Sequence, residues 1–491
     1  MKFKKLLIYS LPVVITASLS SCNDFLELNP ISQATTANAY QTASDAEAAI
    51  TGVYDSFSQD YYIWDNVMLE DVRSDNYYAG GDNNDFIQMD KLQITPTNSK
   101  IYSEWSSLYN AILKANVVIQ KVPQITDSKL SDTRKTQIIG EAYFLRAYHY
   151  FQLVKLWGGV PLITEPMAST DPGVTNVARS TEDQVYDQIV ADLQIAVTNL
   201  PDTYSNDASV NKARATKGAA NALLAKVYAQ RPTPDYSKVL EYCNAVINSP
   251  AQYSLIDYNY LFDGNHYNNA ESIMEIQFNG GTEANWGPQM LLPPSLTGDT
   301  WRKFVTPSKD LVRTFDSEGD SIRKHASILF ENAPWADEYW SLTVGGSIPF
   351  AYKWKSANGW ASTNRQYIFR LGDIILLKAE ALNELGRTAE AKTELDKIRS
   401  RVNLSPSTAT SQADLRLAIE KERRLELAQE AQRWDDLRRY KRVETVMNNL
   451  NEIDLRTNQK VNYNMTAEKE LLPIPQQELN RNSKLTQNPG Y

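Results

Sequence analysis

Apolar positions recur every three to four residues over two long parts of the chain, residues 38–57 with 100–250, and residues 366–450. That spacing predicts amphipathic helices. Residues 251–365 keep no sustained period and are rich in Gly, Pro, Asn and aromatic residues, which predicts a loop-rich, mixed segment. Two stretches repeat one layout: ALLAKVYAQRPTPDYSKVLEYCNAVINSP (222–250) and ILLKAEALNELGRTAEAKTELDKIRSRVNLSP (375–406). Each runs from a helix with small residues at close-packing positions (Ala222, Ala225 and Ala229; Ala379 and Ala381) through a turn to a second helix and a closing Ser-Pro. Segments 104–122 with 137–157, and 181–200 with 411–427, are expected to supply further helices of the same kind.

These units resemble tetratricopeptide helix pairs, which bury their apolar faces by stacking on one another. The stretch QIIGEAYFLRAYHYFQLVKLWGGVPLI (137–163) reads as one long helix stopped by Gly158, Gly159 and Pro161. Its aromatic stripe (Tyr143, Phe144, Tyr148, Tyr150, Phe151) is expected in the core, with Glu141 and Arg146 as a charge pair. His149 has no second histidine or cysteine at metal-ligand spacing. IEKERRLELAQEAQRWDDLRRYKRV (419–443) reads as a charged helix in which Glu420 and Arg424, Glu422 and Glu426, and Glu430 and Trp434 share faces at four-residue steps. A catalytic cluster of carboxylates and arginines is one reading; an ion-pair network fixing the last helices is the one we favour.

The chain opens with MKFKKLLIYSLPVVITASLSS, where Lys2, Lys4 and Lys5 precede an apolar run from Leu6 to Ala17 and then small residues. This is the layout of a secretory signal, too short for a spanning helix and interrupted by Pro12. Leu19–Ser20–Ser21–Cys22 resembles the lipobox of bacterial lipoproteins, which implies that residues 1–21 are removed and Cys22 is acylated. Residues 22–36 then form a lipidated tether, and 37–491 a single domain. Removing a segment with three lysines and no acid takes the formal net charge from −9 to −12. So acidic a body disfavours nucleic acid as a partner. With Cys22 acylated, Cys243 is the only other cysteine, so no disulfide framework forms within the monomer, and we expect Cys243 buried on a helix.

Several motifs in order along the chain are similar to those of the SusD/RagB family: NDFLELNP after the lipobox, EAYFLRAYHYFQLVKLWGGVPLI, FRLGDIILLKAEALNELG, EKERRLELAQEAQRWDDLRRY and the closing LLPIPQQELNRNSKLTQNPGY. The resemblance implies a mostly α fold, a tetratricopeptide-like helical-pair scaffold (about 37–250 and 366–450) with an inserted loop-rich ligand-binding lobe (about 251–365). It further implies a lipid-anchored protein of the outer membrane, on the cell surface. Such a protein captures an oligosaccharide or polysaccharide without catalysis and delivers it to a SusC-type TonB-dependent transporter. The RagB branch implies peptide as an alternative ligand, and a helical glycoside hydrolase is a third, weaker reading.

By position in the family, the ligand platform is expected from LEDVRSDNYYAGGDNNDF (69–86), with Asp75, Asn76, Tyr77 and Tyr78, and from 278–301, with Asn285, Trp286 and Trp301. Trp335, Tyr339 and Trp340 are further candidates, and Asn83 and Asn84 are additional polar groups. The chemistry is consistent, since a sugar presents an apolar C–H face to a flat ring and edge hydroxyls to amides or carboxylates. GGDNND (80–85) lacks the twelve-residue spacing and closing glutamate of an EF-hand and reads as a turn. No metal or cofactor is expected. No HExxH, GxSxG or Gly-rich phosphate loop occurs. With 59 acidic residues, a hydrolase-like carboxylate pair could always be nominated, so acids alone decide nothing.

Overall fold

Alanine-rich helix faces decide how the scaffold closes. A computed structural model describes residues 39–167 and 169–491; the signal segment, Cys22 and the tether lie outside the described residues. Helix Lys217–Gln230 starts on Thr216, whose hydroxyl accepts from the Ala219 N–H, and buries Ala219, Ala220, Ala222, Ala225 and Ala229. Without bulk on that face, helix Tyr236–Ile247 packs closely and seals Cys243 inside. Helix Leu371–Glu384 pairs with Thr388–Arg401 in the same manner and lies against Tyr236–Ile247, so the two recognised units are stacked. Helices Ser99–Lys121, Asp132–Trp157 and Glu182–Asn199 extend the array on one side, and Gln412–Glu426 closes it on the other. The protein is mostly helical.

Two helical expectations need correction. The long aromatic helix begins earlier, at Asp132 capped by Ser131, and ends at Trp157, where Gly158 turns the chain at φ 72°. Within it, Glu141 and Arg146 are not paired. Five residues of helix place them about 140° apart around the axis. Glu141 instead accepts from Arg134 and Arg214, and Arg146 forks onto Asp192 at 2.6 and 2.7 Å. The charged segment after Ile419 is two helices, not one. It breaks after Glu426, passes through left-handed Gln429 (φ 65°) and Ala431 (φ 54°), and resumes over Arg433–Arg439. Glu430 therefore does not stack on Trp434 but turns inward onto Arg370 and Lys353.

The lobe is held by short antiparallel pairs. In chain order, β1 is Tyr77–Ala79, β2 Ser272–Ile276, β3 Val305–Pro307, β4 Ile328–Asn332, β5 Ser347–Ala351 and β6 Gln366–Arg370. β2 pairs with β6, clasping the two ends of the loop-rich segment, and β4 with β5 forms a ribbon. β1 pairs with β3 in the register Tyr77↔Pro307, Tyr78↔Thr306, Ala79↔Val305. The lobe is thus larger than sequence period marks, because residues 61–90 join it through this pairing.

A buried charge network ties lobe to scaffold. Arg370 contacts Glu426 at 2.5 Å and Glu271 at 3.1 Å; Arg323 contacts Glu422 at 2.7 Å and Glu426 at 3.1 Å; Arg401 contacts Glu271 at 2.8 Å and also Glu426. None of the carboxylates is exposed, and each is opposed by guanidinium groups. Glu271, Glu422 and Glu426 are fully buried, so these acids form a structural network. Among the described residues, no group of His, Cys, Asp and Glu is arranged to hold a metal ion, and no helix is long and apolar enough to cross a membrane.

Candidate functional site

An open cleft of about 460 Å³ lies on the lobe, lined by Gly81, Asp82, Met290, Trp301, Arg302, Phe304 and Trp360. The β1–β3 pairing brings its two main loops together. The Gly80 N–H donates to the Phe304 carbonyl at 3.2 Å, and the Phe304 N–H to the Met290 carbonyl at 3.0 Å. Gly80 and Gly81 are required for this approach. A Cβ on Gly80 would stand 2.0 Å from the Lys303 carbonyl oxygen, and one on Gly81, at φ 69°, 2.7 Å from the Phe304 ring.

Trp360 reaches the cleft from a tight turn. Asn358, Gly359 and Trp360 all have positive φ (46°, 57° and 73°), and Trp360 is 47% exposed. A bulky residue in the left-handed region is strained, and such strain concentrates at functional sites. The turn is held from behind by Asn285, whose N–H donates to the Ser362 carbonyl (2.9 Å) and whose amide donates to the Asn364 carbonyl (2.8 Å). An aromatic chain underlies the other wall: Trp301 meets Phe304 at 5.5 Å, Phe304 meets Phe86 and Trp64 at 5.1 and 5.8 Å, and Trp64 meets Trp286 at 5.9 Å. Arg302 is fixed at the rim by Asp337 at 3.0 Å and by Glu338.

Of the residues expected at the site, only Trp301 lines this cleft. Trp286 is half-buried behind it, and Asn285 is buried and fully used in bracing the turn. Tyr77 and Tyr78 are corrected outright: both are buried in β1, and the Tyr78 hydroxyl donates to Asp337 at 2.8 Å. No ring face of either is open to a ligand. Asp75 and Asn76 hold β1 to the scaffold. Burial alone would raise the Asp75 carboxyl, but Arg424 and Arg433 hold it well below the usual carboxylate range. The Asn76 amide oxygen accepts from Arg424 at 2.7 Å.

Tyr339 stacks edge-on against Tyr78, Trp340 donates its indole N–H to the Pro307 carbonyl, and Trp335 packs on Phe350. These three brace the loop that carries Asp337. Asn83 caps the short helix Asn84–Asp90, in keeping with the turn expected there. Trp360, Phe304, Arg302, Met290 and Asp82 were not foreseen. For Trp360 a signal existed, since an Asn-Gly turn followed by tryptophan presents a large ring at a loop tip.

A larger depression of 860 Å³ lies elsewhere, lined by Arg399, Arg424, Arg433 and Arg442, among others. Its arginines are already engaged by Glu422, Asp310, Asp75 and Glu420, and it offers no aromatic face. The Trp301–Trp360 cleft is the better candidate.

A helix-pair scaffold carrying an inserted, short-stranded lobe with an open aromatic cleft is a distinct class of binding architecture. Comparison with known proteins gives that class its family. A model described as "SusD family" matches residues 332–491, and one described as "Starch-binding associating with outer membrane" matches residues 24–229. SusD-like protein P2 of Formosa agariphila is 28% identical over 98% of both chains, and a SusD-like protein of Bacteroides ovatus is 26% identical over 87% of this chain and 81% of its own. Among solved structures, a laminarin-binding SusD-like protein superposes with a TM-score of 0.76 at 29% identity, covering 92% of this chain and 100% of that one. A SusD homologue from Bacteroides thetaiotaomicron does so at 0.78 and 25% identity, covering 93% and 99%. The chain belongs to the SusD/RagB family.

Proposed function

We propose that this protein binds a neutral glycan across Trp301 and Trp360, without catalysis, and delivers it to a SusC-type TonB-dependent transporter from a lipid anchor at Cys22 on the outer membrane. The carrying observation is the cleft itself, with an exposed indole on one wall and a half-buried one on the other. Two flat rings match the C–H faces of sugar residues, and Asp82 with backbone groups can meet edge hydroxyls. Neutrality follows from charge. Arg302 is already matched by Asp337 and Glu338, and Asp82 faces the same space, so an anionic sugar finds no free cation there.

Asp82 is the only carboxylate among the lining residues, whereas glycoside hydrolysis uses two flanking the scissile bond. That supports binding without turnover. Laminarin, the ligand named for the laminarin-binding neighbour, is the first to test. The description of the amino-terminal family model supports an outer-membrane setting.

Calorimetry and affinity electrophoresis of the mature protein against laminarin, other neutral polysaccharides and mixed peptides, with released reducing sugar followed in parallel, test the reading. Trp301→Ala and Trp360→Ala are each expected to weaken glycan binding about tenfold or more, the loss of one stacked ring. Turnover would replace binding by hydrolysis, and peptide binding with no glycan binding would favour the RagB-like alternative.

A further inference from the structure

Behind Trp301 lies a buried cation. The Lys303 ammonium stands 3.8 Å from the centroid of the Trp301 ring, and its side chain is 1% exposed. It donates to the Gln289 carbonyl and the Thr297 hydroxyl, both at 3.1 Å, and Asp299 lies 3.7 Å away. Gln289 in turn donates to the Thr297 carbonyl and to Asp299. Met290, next in sequence to Gln289, forms part of the cleft wall. One ammonium therefore joins the helix Gly287–Leu291, the turn at Thr297–Asp299 and a face of the Trp301 ring, and Trp301 lines the cleft while Lys303 does not. Nothing else in the glycan reading uses it.

We propose that Lys303 is a positioning residue for the glycan platform: its ammonium pins the Trp301 ring from behind, so that the ring is already oriented when a sugar stacks on its front. The inference rests on the reading of the cleft as a glycan site. A cation held against an indole out of water is strongly attracted to the ring, and the neutral amine is not. The charged groups facing this site are Asp299 beside the ammonium, and Arg302 and Asp82 along the cleft. Burial pushes the ammonium down to about 8, with Asp299 pulling the other way. The pin is thus charged at neutral pH and discharges within a range where the fold is accessible to measurement.

The test has a ligand-free arm. The protein has ten tryptophans, so the Trp301 signal is taken as the difference in near-ultraviolet circular dichroism and fluorescence between wild type and Trp301→Phe. That difference is expected to titrate with a midpoint near 8 in the wild type, and to vanish from Lys303→Met. In the binding arm, Lys303→Met is expected to bind laminarin about fivefold more weakly at neutral pH, a part of the cation–π attraction. Wild-type affinity should fall by a similar factor above the midpoint while Lys303→Met stays flat. A Trp301-specific signal without a transition, or a Lys303→Met variant with wild-type affinity and wild-type pH profile, overturns the proposal. If the wild type binds no glycan, the functional reading fails and the spectral titration still decides the role of Lys303. If Lys303→Met does not fold, the comparison of wild type with Trp301→Phe decides alone.

Discussion

Replacing Glu426 by glutamine keeps the shape of a wholly buried side chain and removes a charge that three arginines share. Its carboxylate accepts from Arg370 at 2.5 Å, from Arg323 at 3.1 Å and from Arg401. Breaking one member of a buried ion network typically costs about 3–5 kcal/mol, because the remaining charges stay desolvated without their partner. Unfolding entropy of about 2.1 cal/mol/K per residue over roughly 450 residues is ~0.95 kcal/mol/K, so ~4 kcal/mol lowers Tm by about 4 °C. The pH dependence carries a second, sharper signature. Burial by itself would raise the Glu426 carboxyl, but Arg401, Arg370 and Arg323 hold it well below its ordinary value. A depressed acid contributes stability that is full above the unfolded-state pKa and is lost as pH falls through the folded-state one. The gap in Tm between wild type and Glu426→Gln, followed by scanning calorimetry, should therefore be constant from about pH 8 to about pH 5 and shrink only in stronger acid. A gap under about 1 °C at neutral pH, or one that widens on acidification, would refute the reasoning.

Glu104 presents the opposite case. Burial and the neighbouring Asp65 raise its carboxyl well above the ordinary range, so its ionisation opposes folding as pH rises; Glu104→Gln should raise Tm by on the order of 1–3 °C at about pH 8, with the gain fading toward about pH 4, checked by the same calorimetry. Gly81→Ala places a methyl group against Phe304 at a left-handed φ and should cost about 1–3 kcal/mol in urea unfolding while weakening glycan binding, since the wall it distorts is the cleft. Cys22→Ala should abolish labelling by radioactive palmitate and shift the protein out of the outer-membrane fraction. A tagged wild-type protein solubilised from outer membranes should co-purify with a TonB-dependent transporter, and its recovery alone would count against the delivery role.

The scaffold was legible because helical periodicity and small-residue faces are local properties: Ala222, Ala225 and Ala229 announce a close-packed helix within their own turn of chain. The break after Glu426 was not, because it depends on Glu430 meeting Arg370, a partner sixty residues away. At the site, the difficulty was exposure. Tyr78 and Trp301 look alike as candidates, yet the Tyr78 hydroxyl is claimed by Asp337, 259 residues away, and the ring goes inside with it. Trp360 carried its clue in the preceding Asn-Gly, but only the pairing of β2 with β6 and the bracing by Asn285 bring it to the cleft of Trp301. The ion-pair reading of the Glu-Arg-rich stretch was available from charge spacing, while its arginine partners Arg323, Arg370 and Arg401 were not.

The β2–β6 clasp has a consequence for how such a protein can diversify. Roughly 90 residues leave the scaffold at Ile276 and return at Gln366 through one antiparallel pair, and between those ends Arg323 and Lys353 hold the segment onto Glu422, Glu426 and Glu430 of the scaffold. Doubling a connection of this kind adds only about 0.6 kcal/mol of closure entropy. The loops between the two strands can therefore be lengthened, trimmed or re-tipped at little thermodynamic expense, provided the contact of β3 with β1 and the ion pairs of Arg323 and Lys353 with the scaffold survive. A change of ligand would be written in that interval, with the helices left unedited.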